Sequence, residues 1–212
     1  MTPKQLQIIA LPGVPEVEPG DDLALIVAAA LAAEGETLTS GDVIVIAQKI
    51  ISKAEGRTVA LDTVTPSTRA RTLAAEVDKD PRLVEVILSE SAEVLRARKG
   101  LLIVVHRLGF VLANAGVDAS NVVTGDGRDR VLLLPEDPNG TCAKLRAAFK
   151  ETFGLEAGVI VCDSIGRAWR SGTVGIALGA AGLPSVVDLR GRPDRSGRPL
   201  KATWVGLADG IA

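Results

Sequence analysis

Two short segments of this 212-residue sequence place oxygen-bearing side chains directly after apolar runs. In the segment NAGVDASN, Asp118 and Asn121 follow the run FVLA. In the segment CDSIG, Asp163 and Ser164 follow the run GVIV. Oxygen atoms are the ligands that Mg²⁺ and Mn²⁺ prefer, and these ions bridge to substrate phosphates. We therefore expect Asp118 and Asp163 to converge on one or two divalent cations. Asn121 could donate to a nucleotide.

A structural interpretation of both segments stays open. Asp118 would then accept nearby backbone N–H groups in an Asx turn, and Asp163 would do the same after its strand. The occurrence of two such segments favours the metal site over either segment alone. Carboxylates more than roughly 10 Å apart would exclude a shared cation, because metal–oxygen bonds measure about 2.0–2.6 Å.

Other segments carry groups that suit a phosphate. In ALPGVPE, Pro12 and Pro15 stiffen the backbone, and Gly13 allows a close approach to a ligand. In AQKIISKAEGR, Lys49 and Lys53 lie among apolar residues near the end of a predicted strand. The alternatives are an ordinary turn, which the first segment by itself favours, and lysine stems that cover the sheet while the amines reach water.

Arg167 and Arg170 follow the second acidic segment and could neutralise phosphate charge. The sequence contains no GxxxxGK[ST] motif, so a P-loop is excluded. His106 is the only histidine, and we interpret it as a satisfied strand residue rather than as a catalytic base.

Composition argues against several classes of function. Aromatic residues make up 2% of the chain, so base stacking on aromatic platforms is not expected. The net charge is −2 and no basic block occurs, which argues against a nucleic-acid partner. Cys142 and Cys162 lack metal-ligand spacing and are predicted to be free thiols in a reducing cytosol.

The longest apolar run, Leu23–Ala33, is too short to span a bilayer, which takes roughly 20 residues. We interpret it as a buried helix that is N-capped by Asp21 or Asp22 and ends near Gly35. The N-terminal sequence lacks a targeting pattern. A cytoplasmic protein without a membrane partner is therefore expected.

Strands and helices alternate along the chain without a clear break. Predicted strands are Leu6–Ala10, Val43–Ile51, Leu101–His106, Val131–Leu134, Val159–Cys162, Ser185–Leu189 and Thr203–Leu207. Further predicted helices are Pro66–Val77, Pro81–Arg98 and Thr141–Phe153, the last one ending at Gly154.

Six motifs occur in one order between Ile8 and the last residue. They are ALPGVPEVEPGDDLA, GDVIVIAQKIISKAEGR, KDPRLVEVILSES, GFVLANAGVDASNV, LLLPEDPNGTCAKLR and CDSIGRAWRSGTVGIALGAAGL. This set resembles the coenzyme F-420:L-glutamate ligase family, the GTP-dependent γ-glutamyl ligases. The resemblance implies a single 1–212 ligase domain with the family's own α+β fold, mixed β-sheets with flanking helices, in an intertwined homodimer. It also implies GTP-driven addition of L-glutamate to the deazaflavin precursor through an acyl phosphate, with Mn²⁺ or Mg²⁺ and K⁺ as cofactors.

The resemblance also implies roles for individual residues, although it assigns no catalytic residue. Asp118, Asp163 and Ser164 match metal ligands. The positions that match GTP contacts are Leu11, Pro12, Gly13, Val14, Gln48, Lys53 and Asn121.

Some positions depart from the family pattern. Gly210 replaces an acidic residue of the motif ADEIA, and Leu108 stands where many relatives have a polar residue. Relatives continue past the position of Ala212 with a glycine-rich segment that contacts GTP and metal. We therefore expect this chain by itself to bind GTP weakly. A paralogue that binds nucleotide without ligase turnover, or that serves only as a dimer partner, stays an alternative.

Overall fold

The computed structural model describes residues 6–119 and 127–212. Asn121, a predicted nucleotide contact, lies outside these ranges. The strands are β1 (Val43–Ala47), β2 (Thr58–Ala60), β3 (Ser91–Arg98), β4 (Leu101–His106), β5 (Val111–Ala113), β6 (Arg130–Leu132), β7 (Gly158–Gly166), β8 (Thr173–Ala181), β9 (Val186–Asp188) and β10 (Trp204–Gly206). The helices are α1 (Leu23–Ala33), α2 (Gln48–Ala54), α3 (Thr68–Val77), α4 (Pro81–Ser89), α5 (Pro138–Phe153) and α6 (Leu207–Ile211).

One sheet of three strands carries the main core. Its strand order is β1–β7–β8, with β1 parallel to β7 and β7 antiparallel to β8. Val159, Ile160 and Val161 of β7 are fully buried. A parallel pair is usually covered on both faces, which explains this continuous apolar run. Phe149 of α5 and Leu23 of α1 belong to the same core cluster.

A second three-stranded sheet, β3–β4–β5, is antiparallel and packs against α3 and α4. Its core cluster contains Leu102 and Val104 of β4 together with Val84 and Ile87 of α4. Two pairs of strands, β2–β6 and β9–β10, complete the arrangement in the described residues. The predicted α+β class with mixed sheets and flanking helices is confirmed. No described helix combines the length and the hydropathy that a bilayer crossing requires.

Local capping rules predicted several helix ends correctly. Asp22 caps α1 by accepting the N–H groups of Ala24 and Leu25. Gly154 ends α5 in the left-handed region, as predicted. The start of α5 was predicted too late, because Asp137 caps it and Pro138 occupies its first turn. Pro66 lies outside α3, since Ser67 is the N-cap of that helix.

The predicted helix Pro81–Arg98 is wrong in its second half. Helix α4 ends at Ser89, and Ser91–Arg98 forms β3 against β4. The residues of this segment suit a helix, but antiparallel pairing with β4 across the Lys99–Gly100 turn overrode that propensity. The predicted strand Val43–Ile51 ends at Ala47, where α2 begins directly.

The predicted strand Leu6–Ala10 is also wrong for this chain as described. These residues have no regular secondary structure, and their side chains are exposed, that of Leu6 to 88%. The apolar pattern was correct for a strand, but among the described residues no strand pairs with it. Strand β8 was not predicted, because its sequence TVGIALGAA is rich in glycine and alanine.

Candidate active site

The parallel pair β1–β7 brings two of the predicted segments to one edge of the sheet. Ala47 at the end of β1 is paired with Cys162 of β7. Lys49 in α2 and Asp163 in β7 therefore follow at the same level of the sheet, where β1 ends while β7 continues in its pairing with β8. The carboxyl ends of parallel strands are a common location for ligand sites in α/β sheets.

Asp118 reaches this edge from a third segment. Its N–H donates to the Leu132 carbonyl at 3.0 Å, and its carbonyl accepts the Leu132 N–H at 2.8 Å. The Asp118 side chain forms an ion pair with Lys49, with 2.5 Å between Oδ2 and Nζ. The two side chains are 28% and 31% exposed, respectively. The backbone of Asp118 is thus held by β6 while its carboxylate points to α2.

Asp163 belongs to the same electrostatic neighbourhood. Burial raises the pKa of Asp163, and the negative charge of Asp118 raises it further. The Ser164 N–H, which donates to Asp163 Oδ1 at 2.8 Å, and the charge of Lys49 lower it. The net effect is a raised pKa, because burial disfavours the charged carboxylate. We call Lys49, Asp118 and Asp163 the edge cluster.

A divalent cation fits this donor set. In the described part of the chain, no three His, Cys, Asp or Glu side chains converge into a complete metal cage. Two carboxylates instead match Mg²⁺ or Mn²⁺, which keep waters and take further oxygens from a substrate phosphate. The structure shows only the backbone N–H of Ser164, the third predicted ligand, in contact with Asp163. A cation would also relieve the repulsion between Asp118 and Asp163. Their role as metal ligands stays a prediction.

The turn that leads to Asp118 is left-handed over three residues. The φ angles are 53° at Asn114, 54° at Ala115 and 66° at Gly116. Asn114 Oδ1 lies 3.4 Å from the N–H of the buried Leu102, next to the Ala113–Ile103 pair of the β4–β5 ladder. The Asn114 side chain thus accepts the hydrogen bond that a backbone carbonyl would accept if the β4–β5 ladder continued. The Asn114 backbone can therefore turn away from the sheet. Left-handed residues other than glycine cost roughly 1–2 kcal/mol each, and such strain often marks functional sites.

Gly116→Ala should destabilise the protein by about 2–4 kcal/mol. An added Cβ would lie 2.8 Å from Leu134 Cγ, in addition to the cost of a positive φ. Gly154→Ala is the matched control, because Gly154 has a φ of 69° and nothing within 4 Å of the added Cβ. Urea denaturation of both variants measures the difference, and equal losses of stability would show that the contact with Leu134 is unimportant.

The predicted nucleotide contacts within the described residues lie on α2 and on the loop before α1. Lys53 forms an ion pair with Glu16, which ties the helix to the loop that contains Leu11, Pro12, Gly13 and Val14. A groove of about 620 Å³ lies between Pro12, Gly13 and the exposed face of α1. Gln48 is only 3% exposed, and its Oε1 accepts the Ser52 hydroxyl at 2.9 Å. Its amide therefore supports α2 in the nucleotide-free chain.

The structure does not bring the two arginines to the edge cluster. Strand β7 stays extended through Gly166, so Arg167 lies roughly 13 Å along the strand from Asp163. Arg167 donates to the Gly172 carbonyl at 3.2 Å within the loop that joins β7 to β8. Arg170 is exposed in the same loop. Both remain available only for a ligand that extends beyond the cluster.

Lys49 is the residue whose place in the site the sequence did not reveal. The sequence showed it as one of two lysines near a strand end, and the family pattern drew attention to Lys53 alone. The sequence feature that could have indicated Lys49 is its position two residues after the last residue of β1, at the same level of the sheet as Asp163.

Two other sequence interpretations concern groups outside the cluster. His106 is fully buried in β4, which confirms it as a strand residue. It is satisfied at Nδ1, which accepts the Leu108 N–H at 3.0 Å, whereas Nε2 is matched among the described residues only by Glu90 Oε2, at the longer distance of 3.4 Å. Cys142 and Cys162 are free thiols. Burial raises the pKa of Cys142 to about 11, which leaves this thiol unreactive at neutral pH.

Comparisons with known proteins agree with the motif pattern. The sequence profile of the F420-0:gamma-glutamyl ligase family matches residues 13–212. The chain is 43% identical over 207 residues to the coenzyme F420:L-glutamate ligase of Methanothermobacter thermautotrophicus, covering 98% of this chain and 81% of that protein. It is 45% identical to the enzyme of that name from Methanopyrus kandleri, covering 98% and 79%. For the enzyme of that name from Archaeoglobus fulgidus, the identity is 40%, covering 98% and 80%. With a profile match over nearly its whole length and several relatives above 40% identity, the chain belongs to the F420-0:gamma-glutamyl ligase family.

Proposed function

We propose that this chain ligates L-glutamate in γ linkage to the deazaflavin precursor of coenzyme F420, with GTP as the source of free energy. The observation that carries the proposal is the edge cluster, in which Asp118 pairs with Lys49 and the charges of both act on Asp163, in a member of this family. Relatives at 43% and 45% identity are named for L-glutamate ligation to this coenzyme.

The proposed reaction has two steps that balance in atoms and charge. The γ-phosphoryl group of GTP passes to the terminal carboxylate of the precursor, which yields an acyl phosphate and GDP. The amine of L-glutamate then attacks the acyl carbon, phosphate leaves and an amide bond forms with loss of a proton. Bound Mn²⁺ or Mg²⁺, with K⁺, would supply positive charge that stabilises the transferred phosphoryl group.

The residues of the chain hold and orient the reactants. Asp118 and Asp163, with the Ser164 hydroxyl, would hold the divalent cations at the sheet edge. Lys53 and the backbone of residues 11–14 would contact the nucleotide, with Gln48 and Asn121 as further contacts. The exposed Arg167 and Arg170 would reach only a phosphate or carboxylate at the far end of a long substrate.

Incubation of the chain with GTP, Mn²⁺, K⁺, L-glutamate and the deazaflavin precursor tests this function. We expect a product heavier than the precursor by one glutamyl residue, together with GDP, detected by mass spectrometry. GTP binding without product would favour the alternative, a paralogue that binds nucleotide but does not turn over. Neither binding nor product under Mg²⁺ or Mn²⁺ would contradict the proposal and favour a role as a dimer partner.

We also propose that the chain forms an intertwined homodimer in the cytoplasm. Large apolar side chains are exposed in the segment of residues 6–9 and on β9 and β10, where Leu6, Ile8, Val186 and Val205 are the main examples. A symmetric partner would cover such surfaces. Sedimentation equilibrium at micromolar concentration should show twice the 22.0 kDa chain mass, and a pure monomer would contradict the proposal.

A further inference from the structure

Lys49 pairs through its ammonium with a carboxylate that a divalent cation would also bind, that of Asp118. Its ammonium is 2.5 Å from Asp118 Oδ2, and both side chains are mostly shielded from water. Lys49 is the second residue of α2, which begins directly at the end of β1. Its side chain therefore starts at the same level of the sheet as Asp163, which follows the Ala47–Cys162 pair. A cation bound to the same carboxylate would face the ammonium at close range.

We propose that Lys49 is the resident counter-ion of the metal site: it competes with a divalent cation for Asp118 in the nucleotide-free protein and transfers to a phosphate when the metal–nucleotide complex binds. The inference rests on the proposed function, because it takes the edge cluster as the metal site. Under this inference Lys49 disfavours binding of the metal by itself, so that the metal binds together with the nucleotide phosphates.

Charge explains the direction of this competition. With Lys49 present, the edge cluster carries two carboxylates and one ammonium. Without the ammonium, the carboxylates of Asp118 and Asp163, whose charges act on each other, attract a divalent cation more strongly, since screening by water is weaker for partly shielded groups. A nucleotide brings negative phosphates, which reverse the preference. The ammonium on its flexible stem can then leave Asp118 and bind a phosphate as a point charge.

A purely structural role for Lys49 predicts a different outcome. Loss of this partly exposed ion pair would cost little stability, and it would leave metal affinity unchanged or lower it through local disorder of Asp118. Competition instead predicts opposite signs. Removing Lys49 should strengthen the binding of metal alone and weaken the binding of the metal–nucleotide complex.

The test is a titration of the nucleotide-free chain with Mn²⁺, followed by electron paramagnetic resonance of the free ion. Lys49→Met should bind Mn²⁺ about tenfold more tightly than the wild type, whereas Lys49→Arg, which keeps the charge, should stay within about threefold of it. Lys53→Met removes the same charge one helical turn away, where it pairs with Glu16, and should change Mn²⁺ affinity by less than about threefold. In an Asp118→Asn background, Lys49→Met should give no gain, because the shared carboxylate is absent.

A second arm measures binding of a non-hydrolysable GTP analogue with Mn²⁺ by calorimetry. Lys49→Met should weaken this binding about tenfold, opposite in sign to its effect on Mn²⁺ alone. Equal Mn²⁺ affinity of the wild type and Lys49→Met would overturn the inference while leaving the metal site of the proposed function intact. Absence of Mn²⁺ binding to every variant would overturn both.

Discussion

Replacing Asp163 by asparagine should lower ligase turnover by about a hundredfold or more while leaving the protein at least as stable as the wild type. The loss of activity follows if Asp163 is the metal ligand proposed above, because bound metal contributes several kcal/mol of charge stabilisation to such reactions. The gain or retention of stability follows because partial burial raises the pKa of the carboxyl at this position. The ionised carboxylate of Asp163 is thus unfavourable for folding, although the proposed metal site requires it.

The sign of the stability effect can be worked out from the pKa. A carboxyl whose folded pKa lies above its unfolded pKa stabilises the fold at low pH, and this contribution is lost as pH rises through the folded pKa. At neutral pH the ionised Asp163 therefore opposes folding, and asparagine removes that charge. Mn²⁺ should raise the melting temperature of the wild type but not that of Asp163→Asn.

Thermal melts with and without Mn²⁺, together with the glutamyl product assay, check this prediction. Asp62→Asn is a suitable control. Asp62 lies on a short 3-10 helix outside the edge cluster, and its carboxylate pairs with Arg128. It should keep turnover and the response to Mn²⁺. If Asp163→Asn kept normal turnover, the assignment of Asp163 to the metal site would be wrong.

Glu90→Gln is expected to destabilise the fold by about 3 kcal/mol at pH 7. Glu90 is buried, and its Oε2 lies 2.9 Å from Arg57 Nη2, 3.1 Å from Arg107 Nε and 3.4 Å from His106 Nε2. Burial raises the pKa of Glu90, but hydrogen bonds from His106 and Arg107 and the charges of both arginines lower it to about 2. The ionised carboxylate therefore contributes directly to stability.

Glu136→Gln provides a matched control for Glu90→Gln. Glu136 contacts the same two arginines at 2.9 and 3.0 Å, but its side chain is 63% exposed. Its loss should cost less than about 1 kcal/mol, because exposed ion pairs are screened by water. Similar losses for the two variants would show that burial does not decide the strength of this network.

The pH dependence gives an independent check on Glu90. Its folded pKa of about 2 lies below the ordinary value of 4.5. The stabilisation is therefore fully present above the unfolded pKa and is lost as pH falls from about 4.5 towards 2. The difference between the wild type and Glu90→Gln in urea denaturation should shrink over this range. A difference that stays constant from pH 7 to pH 3 would contradict the role of the Glu90 charge.

The sequence by itself determined the features that depend on neighbouring residues. Asp22 and Gly154 mark helix ends, because capping uses a side chain or a backbone angle within one turn of the helix. The apolar run before Asp163 predicted a buried strand correctly, although β7 continues to Gly166 rather than ending at Cys162. Ordered motifs over the whole chain also indicated the family, which the profile match confirms.

The tertiary structure decided the features that depend on distant partners. Ser91–Arg98 is a strand because it folds back as a hairpin on β4, which in turn packs against α3 and α4, although its local propensity favoured a helix. Asn114 adopts a left-handed angle because its side chain serves the buried Leu102 N–H. Lys49 meets Asp118 only because β6 holds the Asp118 backbone and β1 delivers α2 to the same edge. Contacts between residues far apart in the chain depend on the assembled fold, so no local pattern in the sequence could specify them.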